Sequence, residues 1–150
     1  MERIFLDYVL PCLWAFLACV GFTLVFNIHG VGKLICGFGG GLGWLVYLLA
    51  GSSIVAAFLA AVAIGVFSEI MARLRRCPVT GYLLVALLPL VPGGGIYYAM
   101  RYCVAGDTDR FLAELLHTFG MAAALAVGAM LASSVFRTVF PRLYHRPAGS

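Results

Sequence analysis

Charge is scarce in this sequence: Asp, Glu, Lys and Arg make up only 11% of its residues while 63% are hydrophobic, against the roughly 25% charge of an ordinary globular domain. A soluble surface cannot be built from that composition, so the polar stretches are read as links between membrane spans within a single transmembrane domain, residues 1–150. Several other things are missing. The five cysteines (Cys12, Cys19, Cys36, Cys77, Cys103) are odd in number and form no CxxC pair, which gives neither a disulfide frame nor a metal site. No Gly-Lys-Ser/Thr follows the glycine runs, which excludes a phosphate loop of the nucleotide-binding type. No Ser/His/Asp set and no pair of carboxylates at a shared depth is present, so no enzyme is expected, and no cofactor. Met1 to Gly21 carries Glu2 and Asp7 beside Arg3 and no A-x-A-like cleavage site follows before Asn27, so it reads as a retained first span and not as a signal peptide. The net charge of +4 comes from basic residues scattered over span ends instead of one patch, which argues for orientation in a bilayer and against nucleic acid.

What is present in quantity is apolar sequence, in runs close to the roughly 20 residues a helix needs to cross about 30 Å of hydrocarbon. The reading is an all-α membrane protein, a bundle of about five transmembrane helices over residues 8–26, 34–50, 54–72, 81–100 and 117–136. Gly51-Ser52-Ser53 makes spans 2 and 3 a hairpin, and Arg73, Arg75, Arg76, Cys77 and Pro78 stop span 3. Phe111 to Phe140 is too long for one perpendicular crossing, so Phe111 to Leu116, holding Glu114, reads as an interfacial lead-in. With five crossings one face of the membrane collects Lys33, Arg73, Arg75, Arg76, Arg137, Arg142 and Arg146, and the other only Arg3, Arg101 and Arg110. A re-entrant fourth segment would lower that seven-to-three split to six-to-four. The positive-inside rule therefore favours five crossings, with the C-terminus cytoplasmic and the N-terminus outside.

Span 4 is broken. Pro89, Pro92, Gly93, Gly94 and Gly95 fall in its middle, where a continuous helix would lose hydrogen bonds and clash. Hydrocarbon does not tolerate unpaired backbone, so such a break belongs beside protein or a water-filled cavity. With Pro92 in the first turn of the second half-helix, the N–H groups of Gly93, Gly94 and Gly95 form a positive helix end able to receive a carboxylate. A kink that only shapes packing is the simpler alternative, but two prolines and three consecutive glycines exceed what a kink requires.

Ionisable residues inside spans are functional candidates by default. Glu69 stands one turn before Arg73 in the order that favours an i,i+4 ion pair, and the same carboxylate could instead meet a proton or substrate. Glu114 and His117 share a helix face near the outer end of span 5, where an interfacial helix with a satisfied histidine is the simpler account. Asn27 closes span 1. Tyr102 suits an aromatic belt, whereas Tyr97 and Tyr98 directly follow the break. The series Gly120, Ala124, Gly128, Ala132 and the pairs Gly37/Gly41 and Gly39/Gly43 present small faces for close helix packing, with no chemistry of their own.

The segments GFTLVFNIHG (21–30), GFGGGLGWLVYLL (37–49) and above all ALLPLVPGGGIYYAM (86–100) resemble the threonine/serine exporter family, over nearly the whole chain from span 1 to Phe140. Within that family the chain is similar to the smaller, C-terminal-type membrane unit, which in split members is a separate protein working with a larger subunit. One split pair is associated with succinate export, so the resemblance implies amino or dicarboxylic acids as cargo. The P-L-V-P-G core matches Pro89 to Gly93, and Asn27 matches the end of the family's first span, while His29 stands where Pro or Arg is commoner. The expected function is therefore export of small carboxylate-bearing metabolites across the bacterial inner membrane with a larger partner subunit. Asn27, Glu69, Pro89, Pro92, Gly93, Gly94, Gly95 and Tyr97 are the candidate substrate-binding residues. Homo-oligomers are also compatible. The competing reading from another class is a non-transporting scaffold subunit, for which the small-residue faces are the whole purpose.

Overall fold

The computed structural model describes residues 5–139, and every regular element among them is helical. A π-helical turn, Phe5–Val9, runs into α1 (Leu10–Val25); then come α2 (Gly32–Leu49), α3 (Ile54–Arg75), α4 (Val79–Leu87) with a 3₁₀ turn Leu88–Leu90, α5 (Gly93–Val104) and α6 (Thr108–Val139). Leu6–Val25, α2, α3 and α6 are each long and apolar enough to cross a membrane, and Val79–Leu90 with Gly93–Val104 forms a fifth, bent by 46°. The all-α bundle of about five spans with a broken fourth is thus present. Of the cations in the expected charge split, Arg3, Arg142 and Arg146 lie outside the described residues, as does Phe140.

Local sequence explains the ends. Four helices close by one device, in which a residue in the left-handed region follows the last turn and the next amide reaches back to a carbonyl five residues earlier. The left-handed residues are Asn27 (φ 54°), Gly51 (φ 85°), Arg76 (φ 54°) and Gly106 (φ 76°). The returning bonds are Ile28 N–H to Thr23 O at 2.9 Å, Ser52 to Tyr47 at 3.0 Å, Cys77 to Ala72 at 3.0 Å and Asp107 to Tyr102 at 3.1 Å. Two starts, those of α3 and α6, are capped by side chains: Ser53 Oγ accepts from Ala56 N–H, and Asp107 Oδ1 from Arg110 N–H, both at 3.2 Å.

Glycines set the packing. On α2, Gly37 and Gly41 lie against Cys12, Phe16 and Val20 of α1, while Gly39 and Gly43 lie against Phe67 and Ile64 of α3 and Ala86 and Leu90 of the fourth span. Two small faces on opposite sides make α2 the central helix. The α3–α6 seam joins Ile54 to Gly120, Phe58 and Ala61 to Gly128, and Gly65 to Ala132. Residue numbers rise together along that seam, so α3 and α6 run in the same direction. Had the segment between them turned back on itself, α6 would oppose α3. The 46° bend and this parallel register make α4–α5 one broken span.

One end of the bundle therefore holds Lys33, Arg73, Arg75, Arg76 and Arg137, here termed the basic end, and the opposite end Arg101 and Arg110. Residues 111–116, expected as an interfacial lead-in, are helical and continuous with the fifth span in a 32-residue helix. Nothing in that stretch interrupts the backbone ladder, since it contains neither Gly nor Pro.

Candidate functional site at the broken fourth span

The break follows from which amides the two prolines remove. Pro89 has no N–H for the carbonyl of Val85, four residues earlier. The Cys19 thiol of α1, fully buried, donates to that carbonyl at 3.2 Å. Cys19 reaches it because position 40 on α2 is glycine, where any Cβ would land on the sulfur. Pro92 likewise has no N–H for the carbonyl of Leu88, which accepts from Val91 at 3.2 Å in the 3₁₀ turn. Both carbonyls orphaned by proline are thus satisfied inside the bundle, as a low-dielectric surrounding demands.

The amide side is different. Pro92 (φ −77°, ψ 57°) centres an inverse γ-turn in which Gly93 N–H donates to Val91 O at 2.7 Å. Of the three amides expected to be free, Gly93's is therefore consumed, and those of Gly94 and Gly95 head α5 without an intrahelical carbonyl. Pro92 sits just before the first turn, at the N-cap, and not within it. The three glycines also differ in surroundings. A Cβ on Gly93 or Gly94 would meet nothing, and both are exposed, whereas a Cβ on Gly95 would strike Thr118 Oγ1 on α6. Gly95 is where α5 lies on α6; Gly93 and Gly94 open outward with the positive end of the helix.

The break divides the fourth span into halves of equal length, Val79–Leu90 and Gly93–Val104. Leu90 lies at the level of Gly43 and Ile64, and Pro89 shares a groove of about 410 Å³ with Trp44, Trp14 and the start of α1. Trp44 is five residues short of the end of α2, so Pro89 faces the half of α2 away from the basic end.

The other sequence candidates are spread along the axis instead of converging. Glu69 is six residues, roughly 9 Å, inside the basic end of α3. It is 5% exposed and pairs with Arg73 Nη2 at 3.2 Å. The same nitrogen donates to the Phe136 carbonyl of α6 at 3.3 Å, and the guanidinium lies 5.0 Å from the centre of the Phe136 ring. The ion pair expected from spacing is present, and it also ties two helices together. Asn27 is exposed at the basic end, where it occupies the left-handed position that closes α1 and its carbonyl meets His29 Nδ1 at 2.9 Å. Tyr97, 65% exposed, stands edge-on to Tyr98 with ring centres 5.4 Å apart on the outward side of α5.

Sequence reasoning did not single out Cys19, Thr118 or Trp44. The Val85 carbonyl was foreseeable from Pro89 four residues on, but its donor lies 66 positions away in sequence. Trp44 Nε1 and Ser68 Oγ are buried polar atoms without a partner among the described residues.

A bundle of apolar spans, one of them broken with both proline-orphaned carbonyls satisfied and two exposed glycines at the head of its second half, has the build of a multi-pass α-helical membrane transporter. The threonine/serine exporter (ThrE) family model matches residues 11–135, and the chain belongs to that family, whose members are exporters and not enzymes. No curated protein and no solved structure gives a significant match.

Proposed function

We propose that this chain is the smaller subunit of a split exporter, acting as a single transmembrane domain with a larger partner subunit to move small carboxylate-bearing metabolites out of the cell across the bacterial inner membrane. The cargo is threonine and serine, or a dicarboxylate such as succinate. The basic end faces the cytoplasm, with the N-terminus outside and the C-terminus inside, as the excess of cations at that end favours. The observation that carries the reading is the bare head of α5: Gly93 and Gly94 are exposed, and none of the described residues lies within 4 Å of the side on which their side chains would project. In a bilayer an uncovered helix start must meet protein, water or an anion. A partner subunit closing over the break would complete a chamber whose donors are the Gly94 and Gly95 amides. Pro89 and Pro92 keep the break open, Tyr97 flanks it, and Glu69 and Asn27 lie towards the cytoplasmic entrance.

Replacing Gly93 or Gly94 by Leu tests this directly, because the side chain fills the chamber without striking this chain. Efflux of radiolabelled serine or succinate from loaded cells should fall at least about tenfold, as for loss of one charge-assisted contact, while the complex with the larger subunit still purifies intact. Normal efflux in both variants would dismiss the site. The lone purified chain in liposomes should not transport, and efflux by it would remove the need for a partner.

A further inference from the structure

A carboxylate crossing hydrocarbon needs a cation as well as amides, and the described residues offer few. Arg75, Arg76, Arg101, Arg110 and Arg137 are exposed; only Lys33 and Arg73 are partly buried, and Lys33 sits in the first turn of α2. Arg73 is set up differently. Its guanidinium lies over the Phe136 ring, and its side chain is buried only in part, with 22% of its surface exposed. It also already holds a carboxylate. Glu69 is the one charged residue in the buried class among those described, and one of its oxygens, Oε2, meets Arg73 Nη2 at 3.2 Å. A contact through one nitrogen falls short of the two-pronged fork that Arg and a carboxylate make at their strongest.

Resting on the exporter reading above, we propose that Arg73 is the carboxylate receptor at the basic end of the path and that Glu69 is its resident competitor. An incoming substrate carboxylate takes the guanidinium from Glu69, and Glu69 reclaims it once the substrate moves on towards the α5 amides. Arg73 Nη2 also donates to the Phe136 carbonyl, so each exchange loads or unloads the contact that ties the basic ends of α3 and α6. The pair selects for an acidic group and returns the site to its unloaded state.

The test uses inside-out vesicles from cells carrying the whole transporter, with radiolabelled succinate and serine as probes. Glu69→Gln should lower the half-saturating concentration about tenfold, the worth of one charge-assisted contact no longer contested, and should slow maximal uptake because release loses its competitor. Arg73→Lys should raise half-saturation. The paired Glu69→Gln/Arg73→Gln variant, which keeps two amides in hydrogen-bond reach and no buried charge, should assemble normally yet show half-saturation raised by at least about tenfold. A purely structural pair would leave half-saturation unchanged in every assembled variant, and that result would overturn the inference while leaving the exporter reading intact. Uptake of neither probe by wild-type vesicles would overturn the exporter reading and this inference with it.

Discussion

The thiol of Cys19 on α1 lies 3.2 Å from the carbonyl of Val85 on α4, the carbonyl that Pro89 deprives of its helical donor. A proline fault in one helix is thereby repaired by a side chain from another. Cys19→Val should leave the carbonyl unsatisfied in a dry interior and cost about 1–2 kcal/mol, whereas Cys19→Ser keeps a donor and should cost less. Thermal unfolding of the detergent-solubilised protein ranks the two; equal stability would mean that the contact carries no weight.

Gly128 meets a backbone atom, the Phe58 carbonyl oxygen, so its neighbour cannot rotate away. Gly128→Ala should destabilise the α3–α6 seam by about 1–3 kcal/mol. Gly21, which faces open space, should accept Ala without loss. The same unfolding assay compares them, and a tolerated Gly128→Ala would contradict the seam.

Gly95 and Thr118 are one contact seen from two helices. Gly95→Ala should push α5 off α6 and lower both stability and efflux, and Thr118→Ala, which removes the struck hydroxyl, should restore part of each. Non-additivity of about 0.5 kcal/mol or more in the double-mutant cycle is expected for residues in contact; simple additivity would separate them.

Removing one partner of the buried pair should be worse than removing both charges. Arg73→Ala strands the Glu69 carboxylate and should cost about 3–5 kcal/mol, while the Gln/Gln pair should lie much closer to wild type. Chemical unfolding of the three proteins decides, and a mild Arg73→Ala would show that Glu69 finds solvent or another donor.

Two native cysteines report direction. Cys77 and Cys103 are both exposed, at opposite ends of the broken span. In variants retaining one or the other, a membrane-impermeant maleimide should label Cys103 in intact cells and Cys77 only after permeabilisation. Labelling of both from one side would mean that the fourth segment turns back.

How much of this could be read from the chain alone varies with the range of the interaction. The apolar runs mark where the long helices lie, because the length of a span is set by bilayer thickness, a property of the solvent and not of the partners. The extra residues of α6 escaped because propensity favours helix from Thr108 onward whether or not lipid surrounds it. The break was legible from Pro89 and Pro92, since loss of an amide is a covalent fact. Gly93, Gly94 and Gly95 look equivalent in sequence, yet the turn at Pro92 occupies the amide of the first, a side chain on the second would meet open space, and one on the third would strike Thr118. Glu69 and Arg73 announced their pairing by spacing, but their tie to Phe136 spans 63 positions and has no local signature.

The shared heading of α3 and α6 has a consequence for how such units can be joined. With five passes, the first and last described helices deliver the chain to opposite faces of the membrane. Two copies spliced tail to head would place the second upside down, and joining them the same way up would require a sixth pass as a spacer.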